Sequence, residues 1–351
     1  MKNSFFLDMA SKRFNPAAVL DLSRSGKILV MSDFHMGGGR GDDLEYNGYL
    51  VHGALDQYYF PDNWNLILNG DIEELQRFSL SSIRSRWPEL YRLFDKFAGQ
   101  NRLYKTLGNH DESLLFEKDY PYPLYNAVRI ETPEIPLFVY HGHQSSPVYT
   151  DFNKIIGSGI RYFLKPFGIK NISTARSPHR RFFVEKQAYA FSLRNRCISV
   201  IGHTHRALFE SLGRFDYIKY EIERLCRDYP AAGDSGRERI RQEVGALRLD
   251  LSKLRRRERR DVLRQSLYGD DELPVPCLFN SGCAIGRQGF NAIELNGDSI
   301  SLVYWFIEGA GKKFVKRGWY PVERFGNTNF RRVVLNQDRL DYINARIQLL
   351  G

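Results

Sequence analysis

Six of the eight histidines fall in four short clusters, each beside Asp, Asn, Gly or another His. The clusters are Asp33-Phe34-His35, Asn109-His110-Asp111, His141-Gly142-His143 and His203-Thr204-His205. A lone histidine is ordinarily a satisfied core or surface residue, but this grouping points to a common task. Imidazole nitrogen and carboxylate oxygen suit Mn, Fe, Zn, Ni or Co, and a set without thiolates argues against a structural zinc site. An Asp between two cations can bridge them, which assembles a dinuclear centre about 3.5–4 Å across. Such a pair lowers the pKa of a bridging water and clamps the oxygens of a phosphoryl group during in-line displacement.

The elements that must deliver these groups are short apolar runs. KILVMSDFH, RLYKTLGNHD, LFVYHGH and CISVIGHTH each carry a cluster at their C-terminal end, and a fifth run, LILNGD, ends in Gly70-Asp71. Runs of this length ending in Gly or Asp read as buried strands, and in layered α/β architectures the C-terminal rim of the strands is where sites are built. Five strand ends therefore converge on one metal site. Gly70, Gly108, Gly142 and Gly202 let the backbone turn sharply beside it. NAIELNGDSISLVYWF reads as a hairpin with an Asn-Gly turn, and the tail, including DRLDYINARIQLL, as a closing helix.

Taken in order, DxH (33–35), GD (70–71), GNHD (108–111), HGH (141–143) and GHTH (202–205) resemble the calcineurin-like metallophosphoesterase family. The family core would run on through PVPCLFNSGCAIG and the following hairpin. With the strand pattern, the resemblance implies an α/β fold, a two-sheet β-sandwich flanked by helices. It also implies that Asp33, His35, Asp71 and His205 hold one divalent metal ion. Asp71, Asn109, His141 and His203 would hold the second, with Asp71 bridging and Mn²⁺ expected ahead of Fe, Zn, Ni or Co. His110 is then the general acid or a transition-state clamp, and Asp111 orients its ring or caps the loop. His143 contacts phosphate or supports its loop, and Arg206 reaches a substrate phosphate or lies on the surface. Glu73, Glu74, Asp42 and Asp43 read as solvated loop carboxylates, and Gly37-Gly38-Gly39 as a flexible loop without the GK[ST] ending of a P-loop.

Around this core, residues 1–351 read as a single domain with two inserts and a C-terminal part, 274–351, that supplies further core strands and the closing helix. The first insert, 144–196, is a basic, aromatic helical cap. Ten Lys or Arg and one acid, Glu185, fall between Lys154 and Arg196, a large share of the formal net charge of +10. Such a cap suits a polyanionic substrate, an anionic membrane surface or a nucleic acid. The second, 210–273, has Ile218, Ile222, Leu225 and Tyr229, then Ile240, Val244, Leu247, Leu251 and Leu254, at helical spacing around Pro230 and Gly233. It reads as a projecting helical hairpin able to form a dimer. Over 206–273 there are 16 basic and 14 acidic residues, so the basic run at 255–260 reads as part of a solvated, salt-bridged face.

No 18-residue apolar run or secretory leader is evident, and the four cysteines form no CxxC pair. This predicts a cytoplasmic protein, peripheral at the inner membrane face if the cap engages lipid. The expected activity is hydrolysis of a phosphodiester or pyrophosphate bond by metal-activated water. An insert between the fourth and fifth motifs resembles the UDP-2,3-diacylglucosamine pyrophosphatases and points to a nucleotide-lipid diphosphate. GDIEEL, GNHD in place of an Arg at position 110, and HGH in place of HGD depart from that group. The alternatives are a nuclease, and a scaffold that binds a partner through the hairpin.

Overall fold

A computed structural model describes residues 14–145, 178–209, 214–261, 275–310 and 321–351. Thirteen strands carry the fold: β1 (Phe14–Asp21), β2 (Lys27–Met31), β3 (Asn65–Asn69), β4 (Leu103–Thr106), β5 (Leu124–Glu131), β6 (Leu137–Val139) and β7 (Ile198–Ile201) in the first part. They continue with β8 (Leu208–Phe209), β9 (Leu278–Asn280), β10 (Phe290–Asn296), β11 (Ser299–Ile307), β12 (Val322–Arg324) and β13 (Phe330–Arg339). Hydrogen bonds link twelve of them in the order β12-β13-β11-β10-β2-β3-β4-β5-β6-β7-β9-β8, and β1 pairs with β5.

The alternation of side chains folds this path into two facing sheets. On β2 and β3, Leu29, Met31, Leu66 and Leu68 point to one core and Ile28, Val30 and Ile67 to another. The second core also holds Val128, Val139, Val200 and Phe279 from the β5–β9 half, so it lies between the two halves. Strand β5 joins them: Leu124 and Tyr125 pair with β4, whereas Val128 to Ile130 pair with β6. β1 runs parallel to it from Phe14 to Asp21.

Helices cover both outer faces. In chain order they are α1 (Leu22–Ser25), α2 (Gly48–Ala54), α3 (Leu80–Arg86), α4 (Pro88–Gly99), α5 (Pro178–Asn195), α6 (Arg214–Asp228), α7 (Asp234–Asp261) and α8 (Leu340–Leu350). α4 shows why such a segment is helical. Proline stands at its first turn with Glu89, Lys96 lies in its last turn, and Leu90, Tyr91, Phe94 and Phe97 bury one face beside β4, in the core that Leu29, Met31, Leu66 and Leu68 share. On the opposite side Ala188 of α5 packs with Ile201 and Leu278. α8 begins only at Leu340, after β13, and its Leu340, Ile343 and Ile347 close the inter-sheet core.

β10 and β11 form an antiparallel hairpin turned at Gly297 (φ 59°), and β10 pairs on its other edge with β2. α6 and α7 lie against one another across a turn at Tyr229–Ala231, with Ile218, Leu225 and Ile240 buried. Glu221–Arg224, Arg224–Asp228 and Glu238–Arg241 pairs one turn apart dress their exposed sides. Residues 146–177, the greater part of the expected cap, lie outside the described residues. Among the described residues no helix is long and apolar enough to cross a membrane.

One polar cluster is built into the outer core. Trp305 Nε1 donates to Tyr59 OH (2.8 Å), Tyr59 OH donates to Glu294 (2.6 Å), and Arg332 Nε donates to the same carboxylate (3.1 Å). Arg332→Met leaves that buried carboxylate without its cation, and urea unfolding is expected to show a loss of about 3–5 kcal/mol. A loss below about 1 kcal/mol would show that Tyr59 alone satisfies Glu294.

Candidate metal centre

Because the sheet path folds at β5, the C-terminal ends of β6 and β7 face those of β2, β3 and β4. Backbone bonds zip the loops that follow these strands. Asp33 N donates to Gly70 O (3.1 Å), His35 N to Asp71 O (3.0 Å) and Gly202 N to His141 O (3.0 Å). Two carboxylates tie the loops further: Asp33 Oδ2 accepts from His203 N (2.9 Å), and Asp71 Oδ1 from His110 N (2.8 Å).

The remaining donor atoms converge in two groups. His205 Nε2 lies 3.1 Å from both Asp33 Oδ1 and His35 Nε2, and His35 Nε2 lies 3.9 Å from Asp33 Oδ1. In the second group His141 Nε2 is 3.1 Å from Asp71 Oδ2, and His203 completes a cluster with them. Asp71 Oδ2 is also 3.9 Å from His35 Nε2, so this oxygen stands between the groups. Asn109 and His110 follow Gly108 on the β4 loop, and donor atoms of His35, Asp71 and His110 form a further cluster.

These residues fit divalent cations on four grounds. Asp33 Oδ1 and His141 Nε2 are buried without a well-aligned hydrogen bond, and His203 Nε2 has no hydrogen-bond partner among the described residues. The donor set is imidazole and carboxylate, which suits a borderline divalent ion. Added side-chain carbon is excluded: a Cβ at Gly108 would stand 2.1 Å from Asp71 Oδ1, and one at Gly202 2.6 Å from Asp33 Oδ2. Finally, Asp33, His35, Asp71, His203 and His205 all have positive φ, between 48° and 64°. Left-handed backbone costs non-glycine residues about 1–3 kcal/mol each and concentrates where function demands it.

Electrostatics separates the rings. Burial pushes Asp71 up, but facing His141, His110 and His35 more than offset it and hold the carboxyl well below the ordinary range. Burial likewise opposes charge on Asp33, yet His205 and His141 keep its pKa lowered. The two anions in turn raise His141 to about 9 despite its burial. Burial and the His141 charge drive His203 down to about 3, leaving it as the neutral imidazole that ligates metals.

Glu74, expected in a solvated loop, is buried and organises two rings. Its carboxylate accepts from His35 Nδ1 (3.0 Å) and His110 Nδ1 (2.8 Å), which fixes His35 with Nε2 toward the metal donors. Burial opposes its charge, but these hydrogen bonds lower its pKa to about 2. Asn69 O performs the same service for His141 Nδ1 at 2.9 Å.

Asp111 does not reach the His110 ring. It clamps its own loop, accepting from Gly108 N (2.7 Å), Ile72 N (2.9 Å) and the buried Lys105 Nζ (2.6 Å). Glu73 is the second partner of Lys105 and also accepts from Tyr91 and Tyr120. Asp42 accepts from Gly37 N, Leu44 N and Trp87 Nε1, so it pins the glycine loop rather than facing solvent. Asp43, by contrast, is exposed and pairs with Arg77. His143 is buried with its ring 5.4 Å from that of His141, and Arg206 is held by buried Glu185 of α5.

The calcineurin-like phosphoesterase family model matches residues 26–207, just over half of the chain, and the chain belongs to that family. A search of curated proteins found no match. Similar solved structures include a single mutant of Vps29 from Entamoeba histolytica, at 12% identity, TM-score 0.35, covering 81% of this chain and 94% of that one. Vacuolar Protein Sorting 29 from Cryptosporidium parvum shares 12% identity at TM-score 0.35, with 89% and 97% covered. Yfce, a phosphoesterase from E. coli, shares 12% identity at TM-score 0.31, with 78% and 91% covered. Family and donor clusters together define a metal-dependent phosphoesterase centre that binds divalent cations.

Gly108→Ala drives a methyl group into Asp71. Metal retained after gel filtration is expected to fall well below the parent level while far-UV circular dichroism stays unchanged. Full metal content in this variant would show that the loop can retreat without loss of the site.

Proposed function

We propose that the chain hydrolyses a phosphodiester or pyrophosphate bond with two divalent cations, Mn²⁺ being the natural ion. The observation that carries this reading is the pair of donor groups sharing Asp71, whose Oδ2 lies between His141 Nε2 and His35 Nε2 at 3.1 and 3.9 Å. Asp33, His35, Asp71 and His205 would hold one cation, and Asp71, Asn109, His141 and His203 the other. When bound, such a pair supplies Lewis acidity to the phosphoryl oxygens and an acidified water.

The chain's own groups supply the rest. His110 is half-buried on the rim, with its Nδ1 held by Glu74, so the ring is presented in one orientation to deliver a proton to the leaving oxygen. Lys105 and Asp111 keep the Asn109–His110 loop pressed on Ile72, and hence in register with Asp71. His143 supports the wall behind His141 and His203. A protein that served only to bind a partner would have no physical need for this donor set or for five strained ligand backbones. Within this chemistry we carry forward a nucleotide-lipid diphosphate as the candidate substrate, with a nucleic-acid strand as the alternative.

The test is hydrolysis of bis-p-nitrophenyl phosphate by metal-stripped protein, with and without added Mn²⁺. Metal-dependent turnover is expected, and Asp71→Ala should abolish it together with metal content; turnover unchanged in that variant would overturn the reading. His110→Ala should retain metal and lose about 10²–10⁴-fold in kcat. Loss of metal there would make His110 a ligand instead.

A further inference from the structure

We propose that a cavity beside His205 is a subsite for a second anionic group, so that the preferred substrate is a phosphoester whose non-reacting arm carries its own phosphate. This deepens the phosphoesterase reading and rests on it for the identity of the reacting bond. The cavity has a volume of about 580 Å³ and is walled by His205, Arg206, Cys283, Arg287, Gln288 and Asn291, among others. His205 belongs at the same time to the donor group with Asp33 and His35, so the cavity opens on the metal rim. Its size lies in the range of small-molecule sites and exceeds what one phosphate fills. Among the described residues that line it, none is acidic.

The two guanidiniums in the wall differ in state. Arg206 is matched by buried Glu185, toward which both its Nε and Nη2 donate. Arg287 is placed by an aromatic ring and not by a carboxylate of the described residues. It lies over the Tyr46 ring, 4.5 Å from the centroid, and its Nη2 donates to Tyr46 OH (2.9 Å). Among the described residues it takes part in no ion pair, and the carboxylates near Tyr46 in sequence, Asp43 and Glu45, are paired with Arg77 and Arg86. The loop that carries it is fixed on both sides of Arg287. Before it, Ala284 N donates to Asp33 O (3.2 Å) and Asn47 Nδ2 donates to Ala284 O (2.8 Å); after it, Tyr304 OH donates to Gln288 O.

A planar guanidinium already held by stacking loses little freedom when it engages an anion, and its fork matches phosphate oxygens in pairs. His205 of the donor group and Arg287 line the same cavity, so a two-phosphate substrate can set one phosphate at the metal donors and the other at Arg287.

The test compares adenosine 5′-monophosphate with adenosine 3′,5′-bisphosphate by calorimetry on Mn²⁺-loaded full-length protein. The bisphosphate should bind about tenfold tighter or better, as expected for a charge-assisted contact, and Arg287→Gln should bring the two within about twofold. Alkylation offers a second readout. Cys283 lines the cavity, whereas Cys226 is exposed elsewhere and serves as the internal control. The bisphosphate should shield Cys283 and leave Cys226 reactive, and the shielding should vanish in Arg287→Gln. Equal affinities in the parent protein, or an equal loss for both ligands in Arg287→Gln, would overturn the proposal, the latter by placing Arg287 on the reacting phosphate. Neither readout needs turnover. Discrimination without hydrolysis of bis-p-nitrophenyl phosphate would sink the catalytic reading alone, and hydrolysis without discrimination would sink the subsite alone.

Discussion

The rim is organised around one buried negative charge. Asp71 is 1% exposed, and a carboxylate in that position would ordinarily take up a proton. It stays ionised because groups from three other strand ends meet it: His35 after β2, His110 after β4 and His141 after β6. The same convergence that keeps Asp71 charged brings the two sheets' loops together, so electrostatics and architecture are one requirement here. A glycine at 108 follows directly, since any side chain there would occupy the space that the Asp71 carboxylate needs.

Holding so many donors on sharp turns puts strain into the backbone, and the rest of the rim is arranged to contain it. Each left-handed residue is flanked by a hydrogen bond between loops. Asp33 and His35 are tied to the β3 loop, and His203 is tied to Asp33. Beneath them lies a layer of buried carboxylates with fixed jobs: Glu74 for two imidazoles, Asp111 for a loop, Asp42 for the glycine turn. These groups do not touch a substrate. They decide where the groups that do will point.

How legible this was in the sequence depended on the kind of order involved. The residues of the donor clusters built on Asp33 and Asp71 announce themselves because each sits at the end of an apolar run, where a strand must stop and a polar group must follow. The Asn-Gly turn of the β10–β11 hairpin is legible for the same local reason. Glu73, Glu74 and Asp42 were not, because a carboxylate in a polar loop reads as solvated until its partners are known. Tyr91, Tyr120 and Lys105 come from separate elements, and only folding brings them to Glu73. A signal was present in hindsight: the Lys105 ammonium sits inside the otherwise apolar run that forms β4, and a charge there demands a buried counter-charge. The role of β5 was hidden more deeply, since one strand serving both sheets is a property of register rather than of composition.

The pairing of β2 with β10 reaches beyond the site. Val30 lies opposite Ile293, so β2, already paired with β3, acquires its second neighbour only from a strand far later in the chain. Until then the edge of β2 is open, with the first metal-binding loop attached to it. Non-local pairing of this kind slows folding and exposes unpaired strand edges to other chains. A nascent chain stopped before the β10–β11 hairpin would therefore carry the donor clusters on a half-built sheet with an unpaired strand edge.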